Sequence, residues 1–342
     1  MALYPPSEVP QGAIRFNTDS QKMEFFAQDQ WCEMATDFPY LGKATNSPDR
    51  SGGARGIFSG GHNAAPGYAD RIDYVTIATE GDATDFGNLT VGRSASGSVA
   101  SRTRGLQGGG YGGSNSDVID YWTIASTGDA VDFGDLLGTG HWTQPTCSAT
   151  RGIWAGGNNI GNVIQYVTMA SLGDAKDFGD MSYTTAVSSN SSAQSPTRGI
   201  LGGGTPGTTN TIEYVTIATL GNSQDFGDYT IATAREGRVS NSIRGVFAGG
   251  TRAEPSISNT IDYITIATKG NATNFGDLSQ ARSDTAGVAS PIRGVFGGGL
   301  TPSRVDTMDY TSIATQGNAI DFGNLSESRD HNAGCSNAHG GL

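Results

Sequence analysis

The chain repeats itself with a period near 47 residues, and no other feature restricts its fold as strongly. Arg-Gly, followed by two or three apolar or small residues and then Gly-Gly, begins at Arg55, Arg104, Arg151, Arg198, Arg244 and Arg293, in steps of 49, 47, 47, 46 and 49 residues. A second anchor, Asp/Asn-Phe, places its Phe at 38, 86, 133, 178, 226, 275 and 322. Six Arg-Gly anchors against seven Phe anchors imply a further partial repeat at the N-terminus, because Phe38 lies 48 residues before Phe86 and in phase with the rest. A unit this short cannot bury its own apolar face, so its copies must stack on one another.

Composition decides what kind of unit stacks. Glycine fills 51 of 342 positions and charged residues are 16%, which leaves little sequence for long apolar helices. The 13 Phe, 12 Tyr and 4 Trp are spread along the chain, unlike a disordered segment, and the glycines have no three-residue period, unlike collagen. In Ile72-Asp73-Tyr74-Val75-Thr76-Ile77-Ala78 both alternating faces are partly apolar, as in a strand covered on two sides. Four such strands per unit, with sheets packed face to face, describe the antiparallel blade of a β-propeller. The first strand of each unit is built from small residues, as in Ser98-Val99-Ala100-Ser101 and Gly287-Val288-Ala289-Ser290, as crowding around a central axis demands.

The termini then read as two parts of one blade. Residues 12–42 supply strands two to four, and Arg329 to Ser336, which aligns with Arg282 to Ala289, supplies strand one. The expected architecture is a seven-bladed ring closed by N- and C-terminal strands sharing a blade. It comprises an arm over residues 1–11, six full repeats over about 43–328, and a closing blade from 12–42 plus 329–342. From the strand-three Tyr (Tyr74, Tyr121, Tyr166, Tyr214, Tyr263, Tyr310) to the Phe anchor is always 12 residues, which predicts a tight turn packed in the core. The distance from the Arg anchor to that Tyr varies from 15 to 19 residues, and variable loops on a fixed scaffold are where recognition resides. The Arg anchors are expected to pair with the acidic residue before the Tyr (Asp73, Asp120, Glu213, Asp262, Asp309), with Gln165 breaking the pattern.

Several chemistries are disfavoured. A net charge of −12 repels phosphate backbones, so nucleic acid is not an expected partner. No run of about 18 apolar residues exists, and MALYPPSEVPQG reads as neither a membrane span nor a secretory signal. Cys32, Cys147 and Cys335 are too few and too far apart for a disulfide framework or a zinc site, and are read as free thiols. His62, His141, His331 and His339 have no metal-binding spacing, no G-x-S-x-G elbow occurs, and the acids mostly sit at repeat-equivalent positions. No catalytic residue, metal or cofactor is therefore expected. The Asp82-x-x-Asp85-Phe86-Gly87 segment is read as a turn cap and not as a calcium loop, since Asn replaces Asp in several copies.

Binding is better supported. The loops between strands two and three and those between blades emerge on one face of a propeller. They carry Asn63, Tyr68, Tyr111, Asn115, Asn158, Asn159, Arg252, Glu254 and Arg304 in the former, and His141, Trp142, Tyr183, Tyr229 and Arg235 in the latter. Of these, Tyr68, Tyr111, Asn115, Asn158, Asn159, Arg252, Trp142, Tyr183 and Tyr229 are the candidate receptor-binding residues, because aromatics beside amides suit sugar stacking or a protein interface.

The Gly-Gly after strand two and the aromatic in strand three resemble kelch repeats over nearly the whole chain, although kelch units usually end in a Trp where these carry Asp/Asn-Phe-Gly. Residues 74–87, YVTIATEGDATDFG, look like the repeat of kelch-like structural proteins of tailed phages, particularly marine and cyanobacterial ones. Residues 12–26, GAIRFNTDSQKMEFF, resemble a segment of phage tail-fibre and appendage proteins, where a Trp such as Trp31 often follows. The resemblance implies a non-enzymatic virion protein assembled in the host cytoplasm, in first place a tail-fibre or tail-tip propeller binding a host surface glycan or protein. In second place it implies a capsid decoration or head-fibre protein docking on other virion proteins through an arm containing Tyr4, Pro5 and Pro6. A carbohydrate-active enzyme is the third reading, disfavoured because the acids sit at repeat-equivalent positions. Such phage proteins are often homo-oligomeric in the particle.

Overall fold

The computed structural model describes residues 13–17, 22–27, 30–33, 54–65, 67–184, 191–204, 208–252 and 256–342. The chain divides into two compact units, residues 1–51 and 52–342. The second unit is a six-bladed β-propeller of four-stranded antiparallel sheets. Blade two shows the plan: Gly97–Ala100 innermost, then Arg104–Gly108, Ser116–Thr123 and Val131–Gly140 at the rim. The inner strands of blades three to six are Gln144–Cys147, Ala193–Gln194, Gly237–Ser240 and Ala286–Ala289. Blade one takes its inner strand from the C-terminus, Ala333–Ser336, which pairs with Arg55–Ser59 in the register Ala333↔Ser59 to Ser336↔Gly56.

The seven-bladed ring with a blade shared between residues 12–42 and 329–342 does not form. Among the described N-terminal residues, Ile14–Asn17, Lys22–Ala27 and Gln30–Glu33 make a three-stranded sheet of their own. Sterics explain why this segment is no blade. Every blade has Gly after its Arg anchor, and a Cβ there would lie 2.4 Å from Val288 at Gly56, 2.5 Å from Thr146 at Gly199 and 2.5 Å from Val239 at Gly294, all in the neighbouring inner strand. The N-terminal segment has Phe16 after Arg15, and a benzyl group has no room at that point. Arg15 instead lies 4.1 Å from the Trp31 ring centroid and 2.7 Å from Glu24.

Each blade interface is sealed by the repeat's anchors. Phe86 packs with Ile57, Ile72 and Leu89 of its own blade against Ala100, Trp122 and Ile124 of the next. The six Phe anchors of the ring are 2–3% exposed, each contributing roughly 1.5–3 kcal/mol by burial. Each also makes an edge-on contact with its strand-three Tyr at 5.7–6.1 Å.

The Arg anchors do not pair with the acids before the Tyr. Arg55 is opposite Thr76 in the ladder, which puts its side chain on the face of Tyr74 and away from Asp73. Its guanidinium lies over the Tyr74 ring at 4.9 Å and donates to the Ile124 carbonyl of the next blade. The acids look the other way and clip the preceding blade. Asp73, Asp120, Gln165, Glu213, Asp262 and Asp309 accept from Ser326, Thr90, Leu137 N, Ser182, Thr230 and Ser279, each four residues past a Phe anchor. Gln165 meets the same donor position with its amide oxygen, so it preserves the clip. Buried arginines neutralise four of the acids: Arg329–Asp73 at 2.9 Å, Arg93–Asp120 at 3.0 Å, Arg282–Asp309 at 3.1 Å and Arg252–Asp262 at 3.7 Å.

The connection from strand three to strand four is exposed and not in the core. Its fixed length comes from a clasp on the neighbouring blade: Gly81 N donates to Phe322 O, Ala83 N to Asn324 O, and Asp82 Oδ1 accepts from Asn324 N at 2.9 Å. The Gly after each Phe anchor is where this clasp arrives. A Cβ on Gly87, whose φ is +150°, would lie 2.4 Å from the Gly128 carbonyl.

Candidate ligand-binding face at the ring axis

Two residues before the inner strands of blades one, two, three, five and six the chain turns at the mouth of the ring. Ala95, Trp142, Arg235, Asp284 and His331 hold this equivalent position, all in the left-handed conformation with φ between 53° and 64°. A non-Gly residue there costs about 1–3 kcal/mol, and such strain gathers where a side chain must be aimed. The backbones link from blade to blade: Trp142 N donates to Ala95 O, Ala95 N to His331 O, His331 N to Asp284 O, and Asp284 N to Arg235 O, at 2.6–3.1 Å. Because this relay holds the turns, the side chains converge over the axis.

Around them the strand-two-to-three loops add His62, Tyr68, Tyr111 and Arg304. The result is a shallow depression of about 340 Å³. Six rings run along it in sequence, with centroid separations of 5.3 Å for His62–Tyr68, 5.6 Å for Tyr68–Tyr111 and 5.4 Å for Tyr111–His141. The series continues with 4.4 Å for His141–Trp142 and 6.2 Å for Trp142–His331. A second depression of similar size, at the other end of blades two and three, is lined by Ser101, Arg102, Thr103, Arg104, Ala149, Met169 and Ala170, and has no ring.

The three histidines of the mouth are held in different states. His331 lies 3.0 Å from Asp284 and 3.3 Å from Asp330, one carboxylate on each ring nitrogen. Burial pushes its pKa down, but these two acids overcome that and raise it to about 9, so it is an imidazolium at neutral pH. Burial likewise pushes Asp284 up, while His331, Arg235 and Ser283 outweigh it and hold the carboxyl below its usual range. His141 shares Nδ1 with Asn115 Oδ1 at 2.7 Å and Nε2 with the Asn158 amide at 3.4 Å, which fixes a neutral tautomer. Burial, then the charge of His331, lowers its pKa. His62 accepts from Arg304 on Nδ1, and burial followed by that guanidinium lowers it too.

The far end of the inner strands is stoppered by the C-terminus. His339 lies between Ala100 O (2.7 Å from Nε2) and the Gln194 amide (2.8 Å from Nδ1), with Gly341 N donating to Nδ1 at 3.0 Å. Gly340 N donates to Ser240 O, so the tail touches the inner strands of blades two, four and five.

Of the residues singled out from sequence, Tyr68, Tyr111 and Trp142 line the depression, and Asn115 and Asn158 lock His141 beside it. Asn159 is an exposed turn residue with φ 68°. Three others belong to the framework. Arg252 is 7% exposed and faces Asp262; Tyr229 is 3% exposed and donates to Glu236; the half-buried Tyr183 donates to Gly203 O. The Tyr183 ring packs on the buried cluster that includes Leu201 and the Tyr229 ring against Phe247, so their place in inter-blade segments did not expose them, and Arg252 is turned inward to the acid of its own blade. Tyr4, Pro5, Pro6 and Glu254 lie outside the described residues. Sequence reasoning missed His62, Asp284, Asp330 and His331. For Asp284 and His331 a signal was available: with Ala95, Trp142 and Arg235 they share one repeat position whose residue differs from copy to copy. No protein-family model matches the sequence, and no curated protein matches it.

Proposed function

We propose that the protein is a non-enzymatic recognition module of a tailed-phage virion, an appendage propeller of kelch-like type whose axial face contacts the host cell surface. The observation that carries recognition is the arc of six rings converging at the mouth, flanked by amides and arginines. Ring faces of this kind stack on the apolar faces of sugars, and the fixed polar groups between them select orientation. The virion assignment rests on the sequence resemblance of residues 12–26 and 74–87. Binding without chemistry is supported by the imidazoles themselves. His331 is clamped between two carboxylates and His141 between two amides, so two of the three imidazoles at the mouth have no nitrogen open to take a proton from a ligand, and the third, His62, has Nδ1 occupied by Arg304.

Recognition then works by shape and stacking on a preformed surface, with several copies on one particle converting weak contacts into avidity. Labelled full-length protein should adhere to susceptible cells in a panel of bacteria, and to glycans on a printed array of bacterial surface saccharides. Trp142→Ala and Tyr111→Ala should each lower adhesion tenfold or more, as loss of a central aromatic anchor does. Adhesion no greater than that of an unrelated control protein overturns the proposal.

A further inference from the structure

The charges of the axial depression are sorted by depth. Its carboxylates lie beneath the surface, with Asp284 and Asp330 side chains 2% and 4% exposed. Its lining cations reach solvent, Arg304 at 32% and His331 at 17%, and so does Arg235, at 30%, which stands over the lining Trp142. On a chain of net charge −12 this is a local inversion of sign. Glu327, 31% exposed, is engaged by Asn63 and Arg329.

The arginines also have unspent donors. Arg235 lies over the Trp142 ring at 5.6 Å and stands 3.8 Å from Asp284, yet its guanidinium makes no hydrogen bond among the described residues. Arg304 uses Nε on Asp330 and one terminal nitrogen on His62, which leaves the other terminal nitrogen to a ligand. A guanidinium placed over an aromatic ring, with its donors unengaged, can present the fork that fits a carboxylate or phosphate with two parallel hydrogen bonds.

We infer that the axial face selects a saccharide carrying an anionic substituent, a carboxylate or a phosphate, which docks on Arg235 and Arg304 while Trp142, Tyr68 and Tyr111 stack on the sugar rings. This rests on the axial face being the recognition surface and adds the ligand's chemistry. The buried Asp284 and Asp330 keep the cations in place, so the bound anion completes a charge pattern that the protein leaves open toward solvent.

The test uses the full-length protein and matched probes: a galacturonate tetramer against a galactose tetramer of the same linkage, and a mannose-6-phosphate glycan against its unphosphorylated form. The acidic member of at least one pair should bind tenfold or more tighter in 50 mM salt, and the preference should shrink severalfold in 500 mM salt. A preference in the first pair identifies a carboxylate ligand, and in the second a phosphate ligand. Arg235→Gln and Arg304→Gln should each reduce the preference with an unchanged melting temperature, whereas Trp142→Ala should weaken acidic and neutral members together. Equal or tighter binding of the neutral members, or a preference that survives both arginine substitutions, overturns the anionic assignment and leaves the recognition face standing. Adhesion to cells without binding of either pair also overturns it. Loss of all adhesion, to cells and saccharides alike, overturns the recognition reading beneath it.

Discussion

At the scale of single residues, His331 is the side chain whose state most affects the mouth. It faces Asp284 and Asp330, with Arg235, Trp142, His62 and His141 around it. Its folded pKa of about 9 lies above the ordinary 6.5, so folding favours the protonated form. The stabilisation is therefore complete below about pH 6.5 and disappears as pH rises through 9. The shift corresponds to something on the order of 3 kcal/mol. Urea unfolding of the parent and of His331→Gln between pH 6 and 9.5 should show a stability gap that narrows toward alkaline pH; a gap independent of pH would exclude the imidazolium. From sequence this histidine looked like any other, because Asp284 is 47 residues away and is brought to it only by the ring.

At the scale of strands and blades, the ladder explains which anchors meet. An acid at the strand-three position reaches the preceding blade's exit, and the arginine beneath it supplies the countercharge. Asp120→Ala should destabilise the chain by about 3–5 kcal/mol in urea unfolding, since it strands the buried Arg93. Gln165→Glu should also destabilise, because the residue corresponding to Arg93 in the third blade is Gly140 and the new charge has no partner. An unchanged midpoint for that variant would contradict the clip. Gly87→Ala should cost roughly 1–3 kcal/mol through its φ alone, with the Gly128 clasp displaced besides. The repeat and its anchors were legible at this level, but not their pairing. Arg55 and Asp73 recur together in sequence, yet strand alternation sends them to opposite faces of the sheet.

At the scale of the whole molecule, the six sheets of the ring take one inner strand, Ala333–Ser336, from the C-terminus, and none of their described strands lies in residues 1–51. A chain beginning at Gly52 should melt at the parent temperature, since its six sheets are complete. A large drop would return the N-terminal strands to the ring. Removing residues 337–342 takes away the axial stopper and uncovers Cys147, whose Sγ lies 3.5 Å from His339 and whose thiol burial pushes up to about 12. Native Cys147 should resist a thiol reagent, and in the truncated chain mass spectrometry should find it modified at least tenfold faster. Equal rates would show that the tail does not shield the axis.

The sequence by itself determined the propeller class, the four-stranded blade, the six Arg-Gly repeats and the small residues of the inner strands. Each of these follows from periodicity, strand alternation or local sterics, which neighbouring residues express directly. The tertiary structure decided the blade number, the partner of the C-terminal strand and the composition of the axial mouth. A phase match could not reveal that Phe16 has no room where every blade has glycine, because at Gly56, Gly152, Gly199 and Gly294 the colliding atoms belong to another blade. Nor could one strand order show that His62, Tyr68, Tyr111, Trp142 and His331 share one concavity, since they come from three blades and meet only when the ring places its turns around a single axis.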